Sequence, residues 1–497
     1  MSCQLLELFP GLPAGMDRRV EDLTLDSRKV GPGTLFLARQ GSQAHGLVYF
    51  DEVLKRGAVA IAAEPAGEWD EARITALGGQ AGLPVFTVEG LGMKASALAS
   101  AFFGHPSQSL RMIGVTGTNG KTSITHAVAH ALGSLRKTAI IGTLGNGFPD
   151  ELETATHTTP DAIELQRLLA RFRDQGAEAV AMEVSSHALD QGRVEGVRFD
   201  TAVFTNLTQD HLDYHGDMAS YGAAKARLFA MPGLGGAILN GDDPASLLMQ
   251  AGLRPETRLT VYGMGAATDM EGKAGRLIRA ASVETAPEGL RISAIMDGSS
   301  GLIESRWMGR FNASNLLAVL AVLVEEGMDF DRAVRALAGV PVVPGRMESF
   351  GGGNGPLVVV DYAHTPDALE KVLLALREHC AGQLFCVFGC GGDRDRGKRP
   401  LMGSAAESRA DWVVLTDDNP RNEDGDRIIE EIMVGIRDPS AVLVERDRSQ
   451  AIVRALEEAR PGDIVVVCGK GHETTQQIGD QIRVFSDRAE VERLLAL

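Results

Sequence analysis

A chain of 497 residues is too long for one hydrophobic core, and typical domain sizes divide it into about three. With 44% apolar and 23% charged residues it has the composition of a globular protein; no apolar run approaches the ~20 residues that span a bilayer, which excludes membrane insertion. A net charge of −17 without a Lys/Arg-rich tract argues against a nucleic-acid partner, so anionic ligands would be held by Gly-rich turns, helix N-termini and single arginines.

The first hundred residues form a small mixed unit, expected to end at a linker, Gly104-His105-Pro106-Ser107. D-S-R at Asp26–Arg28 precedes a turn and a strand through Ala38. The loop Gly41-Ser42-Gln43-Ala44-His45-Gly46 follows. The pattern then predicts a helix near 51–56, strands at 58–62 and 85–88, and a helix over 94–103. Alone, D-S-R and G-S-Q-A-H-G are explained about as well by ordinary turn chemistry. Five cysteines, Cys3, Cys380, Cys386, Cys390 and Cys468, show no metal-type spacing. The N-terminus has no basic region leading into a long apolar one. Reduced thiols in a cytoplasmic protein are expected.

From Leu110 to about Val340 strands alternate with helices, the pattern of a doubly wound parallel sheet with ligands beyond its carboxyl ends. Strands are expected at 111–116, 138–143, 178–184, 201–206 and 237–240. A β-rich stretch over 264–309 and a helix over 311–326 follow. The central feature is R-M-I-G-V-T-G-T-N-G-K-T, Arg111–Thr122, in which an apolar strand runs through a Gly-rich turn into a helix predicted over 123–135. Such a turn aims backbone N–H groups at a phosphate. Lys121 can reach the outer phosphates and the Thr122 hydroxyl can ligate Mg²⁺. Glu183, past the next strand, is a reasonable oxygen ligand for the same ion. His211 and His215, at i and i+4, lack a third ligand at Zn-like spacing and on that ground are a surface feature.

Val343-Pro344-Gly345 marks a second boundary, giving domains 1–105, 106–342 and 343–497. Strands are expected beyond it at 357–360, 384–388, 412–416, 442–444 and 464–467. They make a third, Rossmann-like α/β domain. Four strands run into loops rich in Gly, Arg and Asp: D-Y-A-H-T-P, G-C-G-G-D-R-D-R, D-D-N-P-R and G-K-G-H-E. Four such loops on one sheet edge point to a second binding site. Arg394 and Arg421 suit a carboxylate, whose geometry the guanidinium fork matches.

The motifs G-V-T-G-T-N-G-K-T, M-E-V-S-S-H, T-N-L-T-Q-D-H-L-D-Y-H, F-N-A-S-N, G-R-M-E and D-Y-A-H-T-P, over essentially the whole chain, resemble those of the Mur ligases. These are ATP-dependent amide-forming enzymes of peptidoglycan synthesis. The last three loops narrow the resemblance to the branch that adds meso-diaminopimelate. The resemblance implies an N-terminal UDP-binding domain, a central P-loop domain and a C-terminal amino-acid-binding domain. It also implies that ATP phosphorylates the terminal D-Glu carboxylate of UDP-MurNAc-L-Ala-D-Glu, and that the diamino acid's amine displaces phosphate.

By the same resemblance Thr116, Gly117, Thr118, Asn119, Gly120, Lys121 and Thr122 cradle the ATP phosphates, and Asn315, Arg346 and Asp361 contact the nucleotide. Thr122 and Glu183 would hold one Mg²⁺; Glu183, His211 and Lys225 a second, with Lys225 as its carbamate, formed with CO₂. From the sequence alone Lys225 is a helical lysine on a solvated face. Leu25, Ser27, Ser42, Gln43 and Ala44 would meet the UDP end of the substrate, and His157, Thr158, Thr159, Ser185, Gln191 and Arg193 its muramoyl-peptide part. Arg394, Asp418, Asn419, Pro420, Arg421, Gly469 and Glu473 match the amino-acid pocket. The chain departs from the family at His157, where relatives often carry Asn, and at His45, where some carry Asp. A monomer that closes around its substrates is expected. Three alternatives remain: a lysine-adding ligase of the same family, a folylpolyglutamate synthetase, and a nucleotide-binding scaffold without chemistry. Arg421, the extra N-terminal domain and the presence of Lys121, Glu183, His211 and Lys225 argue against them in turn. If Arg421 served only structure, it would pair with Glu423 or Asp424.

Overall fold

Short apolar runs alternating with helical segments bury strands on both faces, and the chain folds as the α/β protein its pattern predicts. The computed structural model describes residues 2–41, 44–265 and 275–496, with the backbone alone at 80 and 81. Contacts divide the chain into two units, built chiefly on Met1–Thr260 and Arg276–Leu497.

The first unit begins with four parallel strands paired in chain order, Asp22–Thr24, Thr34–Ala38, Ala58–Ala63 and Val85–Thr87. Helix Leu91–Phe102 sets Leu91, Ala95, Ala99 and Phe102, one face at helical spacing, into a core with Leu35, Leu37, Ala60 and Ala62. Helix Glu71–Ala81 was not expected, because adjacent Gly78 and Gly79 are poor helix formers. Asp70 starts it by accepting from Arg73 N at 2.8 Å. The expected linker is a tight turn, Pro106–Gln108, whose Ser107 hydroxyl accepts from Arg198 N at 3.1 Å.

The second sheet of this unit runs, in spatial order, Glu151–Glu153, Gly145–Phe148, Thr138–Gly142, Ala179–Glu183, Arg111–Thr116, Thr201–Phe204 and Gly236–Asn240. Its last five strands are parallel, as expected. The first two are antiparallel additions, since the short connection after Gly142 leaves no room for a helical crossover. The register sets Glu183 opposite Val115 and Phe204 opposite Thr116, so three strands end together at the Gly-rich turn.

In the second unit Arg276–Ala286, Gly289–Met296 and Ser299–Ser305 form an antiparallel meander. The first part of the predicted β-rich stretch, 266–274, lies outside the described residues. Helix Arg310–Glu325 buries every residue from Leu316 to Val324, which accounts for that run's apolarity. A six-stranded sheet follows in the order Glu348–Gly351, Leu357–Asp361, Ile464–Cys468, Leu384–Phe388, Trp412–Leu415 and Val442–Val444, antiparallel only in its first pair. A hairpin, Thr475–Ile478 with Gln481–Val484, is an unpredicted addition. All five cysteines are free. Among the described residues no helix is long and apolar enough to cross a membrane.

Candidate active site

The Gly-rich turn leaves strand Arg111–Thr116 and closes on helix Lys121–Leu132, whose first residue precedes the predicted start by two. Gly117 has φ +148, and a methyl group there would stand 1.8 Å from Thr205 Oγ1. That contact is part of a brace. Thr205 Oγ1 donates to Asn119 O at 2.6 Å, Asn119 N to Asn206 Oδ1 at 3.0 Å, and Thr118 N to Asn206 O at 2.8 Å. Thr208 N donates to Thr118 Oγ1 at 3.0 Å. Sequence reasoning assigned Thr205 and Asn206 no role, although their place just past the neighbouring strand was a usable signal. Thr116 is buried at the strand end, its hydroxyl without a hydrogen-bond partner among the described residues.

Two lysines converge on this loop. Lys121 Nζ donates to Gly117 O and Thr118 O, both at 2.9 Å, and Lys225 Nζ donates to Gly117 O at 2.9 Å. Lys225, on helix Met218–Ala226, is 1% exposed, so it is not on a solvated face, the usual place for a helical lysine. Burial, then the charge of Lys121, lowers its pKa to about 6, which leaves the amine mainly neutral at pH 7.

Glu183 is buried beside them. Its Oε2 accepts from Thr122 Oγ1 at 3.0 Å and its Oε1 from Thr143 N at 2.8 Å. Thr143 Oγ1 lies 3.0 Å from Thr158 Oγ1, and Thr159 Oγ1 donates to Glu183 O at 2.8 Å. The helix Ser186–Asp190 is capped by Ser185, not by Glu183, which frees the carboxylate from that role. Adjacent carboxylate and hydroxyl oxygens are hard donors that fit Mg²⁺.

His211, at φ +52, precedes the short helix Leu212–His215 and its ring faces that of His187 at 4.8 Å. His215 is held by Ser186 Oγ at 3.0 Å. His187 also meets Tyr214 at 4.2 Å, so the histidines belong to an aromatic cluster rather than to one helix face. Burial lowers the pKa of His187 and His215. Thr122 touches Glu183 directly; His211 and Lys225 instead flank the Tyr221 ring, at 6.2 and 4.3 Å from its centroid. Among the described residues no group of three His, Cys, Asp or Glu side chains is gathered around one point.

Arg193 is held flat: Nε and Nη2 donate to Gln191 Oε1 at 3.0 and 2.7 Å, and Nη1 to Thr159 O at 2.9 Å. Gln191 Nε2 donates to Tyr214 Oη at 3.2 Å, and Tyr214 donates to Asp190 at 2.9 Å. Thr158, Thr159, Ser185, Gln191 and Arg193 therefore form one network, while the exposed His157 bonds Thr156 Oγ1 at 3.0 Å. In the first sheet Asp26 pairs with Arg28 at 2.9 Å and starts the turn bearing the buried Ser27, with Leu25 packed against the core. Ser42 and Gln43 lie outside the described residues; Ala44 O accepts from Gly41 N at 3.0 Å. His45 is buried: Nδ1 accepts from Leu47 N at 3.1 Å and Nε2 reaches Glu64 O at 2.8 Å. An Asp would cap the same N–H, so the departure preserves the turn.

In the second unit, both oxygens of Asp361 are engaged by backbone, accepting from Met347 N at 2.8 Å and Ala363 N at 2.7 Å. It latches the G-R-M-E turn to the D-Y-A-H turn, and burial raises its pKa. Arg346 lies over the Tyr362 ring at 5.1 Å, with Nε buried and without a hydrogen-bond partner among the described residues. Asn315 Nδ2 donates to Asn312 Oδ1 at 2.7 Å. The G-R-M-E and G-K-G-H-E turns meet at their glycines. A methyl on Gly345 would lie 2.3 Å from His472 N, and one on Gly471 2.9 Å from Gly345 O.

The parallel register brings the four Gly-, Arg- and Asp-rich loops to one sheet edge. Arg421, at φ +51, donates from N to Gln477 O at 3.1 Å and from Nη1 to Gly392 O at 2.7 Å. It does not pair with Glu423 or Asp424. Arg399 takes Glu423, at 2.9 and 3.0 Å, and Asp424 caps helix Gly425–Met433. A methyl on Gly391 would stand 2.9 Å from Arg421 Nη1 and 3.5 Å from Arg394 Cγ, so both arginines border Gly391. Glu473 Oε2 accepts from Asn419 Nδ2 at 3.0 Å, and Asp418 Oδ1 accepts from the same amide at 3.0 Å. Burial raises the Asp418 pKa. Gly469 packs against Asp418, and Asn419 O, just before Pro420, accepts from Gly392 N at 2.9 Å. Arg399 and Lys470 were not singled out from sequence, where buried cations look like solvated ones.

Comparison with known proteins matches the Mur ligase family catalytic domain over residues 19–98, the Mur ligase middle domain over 115–323 and the Mur ligase glutamate ligase domain over 345–471. A UDP-N-acetylmuramoyl-L-alanyl-D-glutamate--2,6-diaminopimelate ligase of Alkalilimnicola ehrlichii is 48% identical over 99% of this chain and 98% of its own. One from Ectopseudomonas mendocina is 46% identical over 100% and 99%. A solved structure of a ligase of that name aligns over 100% of this chain and 99% of its own, at TM-score 0.73 and 35% identity. With a P-loop braced as described and a likeness running the full length, the chain belongs to the Mur ligase family.

Proposed function

We infer that the protein is an ATP-dependent ligase that joins meso-diaminopimelate to the D-Glu of UDP-MurNAc-L-Ala-D-Glu, yielding UDP-MurNAc-tripeptide for peptidoglycan, and that it acts as a cytoplasmic monomer. Residues 1–105 serve the UDP end, 106–342 the ATP and 343–497 the amino acid. A D-Glu carboxylate oxygen attacks the γ-phosphorus of ATP, ADP leaves, and an acyl phosphate forms. The diamino acid's amine lone pair then attacks the acyl carbon, phosphate departs with the bond electrons, and the amine loses a proton as the amide forms.

Thr116–Thr122 cradle the phosphates through backbone N–H groups, and Lys121 exchanges its loop carbonyls for the outer phosphate. Thr122 and Glu183 would hold one Mg²⁺, and Glu183, His211 and the Lys225 carbamate a second. Bound Mg²⁺ supplies neutralising charge as two anions approach. The low pKa of Lys225 supports the carbamate: a neutral amine attacks CO₂ and releases a proton, turning a neutral group into an anionic oxygen donor. Thr158, Thr159, Ser185, Gln191 and Arg193 hold the peptide end, and Asn315 and Arg346 the nucleotide.

The observation that carries the choice of acceptor is Arg421, bordering Gly391 as Arg394 does and without a carboxylate partner among the described residues. A second carboxylate on the acceptor supplies that partner; lysine would bring an ammonium to it. The test is phosphate release from ATP with the UDP-dipeptide and meso-diaminopimelate, L-lysine or L-glutamate. Rapid release with the diacid alone is expected, and release with lysine at the same rate overturns the reading.

A further inference from the structure

Lys470 has no part in that reading, yet its side chain is 0% exposed. It sits in the turn after strand Ile464–Cys468, and Nζ donates to Glu473 Oε2 at 2.9 Å and to Asn419 Oδ1 at 3.4 Å. Asn419 Nδ2 donates to the same Glu473 oxygen at 3.0 Å. Oε2 is thus occupied by two donors, while Oε1 has no hydrogen-bond partner among the described residues. Asn419 belongs to the turn after Trp412–Leu415 and also accepts from Gln477 N at 2.9 Å. One buried ammonium therefore ties together two turns that rise from different strands.

The charges around it give the arrangement a second consequence. A buried ammonium is tolerated only when compensated, and Glu473, 33% exposed, is the carboxylate that touches it. The two cancel as a pair. Asp418 is also buried and faces Lys470, Glu473, Arg448 and Asp487; because Arg448 is paired with Asp487, Asp418 leaves one negative charge against the two positive ones of Arg394 and Arg421. Arg394 and Arg421 then set the sign of the pocket. A cationic balance suits an acceptor with two carboxylates and disfavours one with a single carboxylate and two ammonium groups.

We propose that Lys470 is a positioning and specificity residue of the amino-acid pocket. It holds Glu473 so that Oε1 faces the acceptor's ammonium, and it cancels the Glu473 charge so that Arg394 and Arg421 select a diacid. The proposal rests on the reading of these loops as the acceptor pocket.

The experiment compares Lys470→Met, Lys470→Arg and Glu473→Gln with the parent in the full-length enzyme. The readouts are the KM values for ATP, UDP-dipeptide and meso-diaminopimelate, and the ratio of kcat/KM for meso-diaminopimelate over L-lysine. Lys470→Met is expected to raise the KM for meso-diaminopimelate roughly tenfold or more and to lower the ratio roughly tenfold, with little change toward the other two substrates. Lys470→Arg should recover part of the ratio. Glu473→Gln, which leaves the ammonium uncompensated, should weaken both acceptors and move the ratio the other way. An unchanged ratio in Lys470→Met, an equal rise in the KM for ATP, or a shift in the same direction in both charge variants overturns the proposal. If Lys470→Met does not fold, Glu473→Gln decides by the direction of its ratio alone. A parent enzyme that does not use meso-diaminopimelate defeats the pocket reading instead.

Discussion

Arg399 and Glu423 meet through paired bonds of 2.9 and 3.0 Å, the guanidinium wholly buried and the carboxylate about one-fifth exposed. Arg399 also bonds Glu431 at 2.6 Å and Gly391 O at 3.2 Å, so it joins three segments around the loop that borders Arg421. Arg399→Met leaves Glu423 without its guanidinium, while Glu431 keeps Arg396, and makes Glu423 available to Arg421. A loss of roughly 3 kcal/mol is expected, the low end of the range for a broken buried pair because the acids are partly solvated. Denaturant unfolding should show it, together with a raised KM for the diamino acid.

The same cluster gives a pH signature. Hydrogen bonds from Arg399 and Arg396, respectively, hold Glu423 and Glu431 at about 2, against an ordinary 4.5. Their stabilisation is complete above about 4.5 and disappears as pH falls toward 2. Unfolding titrations of the Glu423→Gln variant should lack part of the acid limb seen in the parent.

Arg421→Ala should raise the KM for meso-diaminopimelate by roughly 10- to 150-fold, the worth of a hydrogen bond to a charged group, and leave the KM for ATP nearly unchanged. Steady-state kinetics with each substrate varied in turn checks it. Equal effects on both would remove Arg421 from the acceptor site.

Lys225 is expected to govern the acid side of the activity profile. An ordinary lysine is neutral in about one molecule per thousand at pH 7.5, whereas one at about 6 is almost wholly neutral and open to CO₂. Turnover should fall as pH drops below about 6. Lys225→Ala should abolish it, and bicarbonate should not rescue that variant; carbon NMR with labelled CO₂ should show the carbamate in the parent alone. Between about 6 and 10.5 the unfolded chain binds one more proton at this site than the native amine does, so stability rises with pH there. Lys225→Met should remove that slope.

Gly117→Ala would set a methyl group 1.8 Å from Thr205 Oγ1 and strain a backbone at φ +148. Displacing the loop by about an ångström should cost on the order of a hundredfold in kcat. Adding Thr205→Ala removes the nearest obstacle but leaves Asn206 N at 3.0 Å, so recovery in the double variant should be partial.

The sequence pattern located every central strand of both large sheets and the Gly-rich turn, because buried parallel strands are continuous apolar runs and G-K-T fixes the register of the turn. Helix Glu71–Ala81 was hidden by its glycines. The hairpin Thr475–Gln481–Val484 was hidden because Gln, Arg and exposed Ile and Val give no alternation toward a core. That Arg421 is spared a carboxylate partner was expected from the Asn419-Pro420 turn; the reason was not legible, since it depends on Arg399, 22 positions away in sequence, taking Glu423. The environment of Lys225 shows the same limit, since burial by Tyr221 and the Gly117 carbonyl is a tertiary fact.

The glycine-to-glycine contact between Gly345 and Gly471 carries a consequence for timing. Two main-chain turns in van der Waals register, with no side chain between them to yield, cannot stiffen one at a time. Quieting the turn that bears Arg346 therefore prepays part of the ordering that the turn bearing Glu473 would otherwise lose on capture of its own guest. Occupancy of either should raise affinity for the other by one shared factor, whichever arrives first.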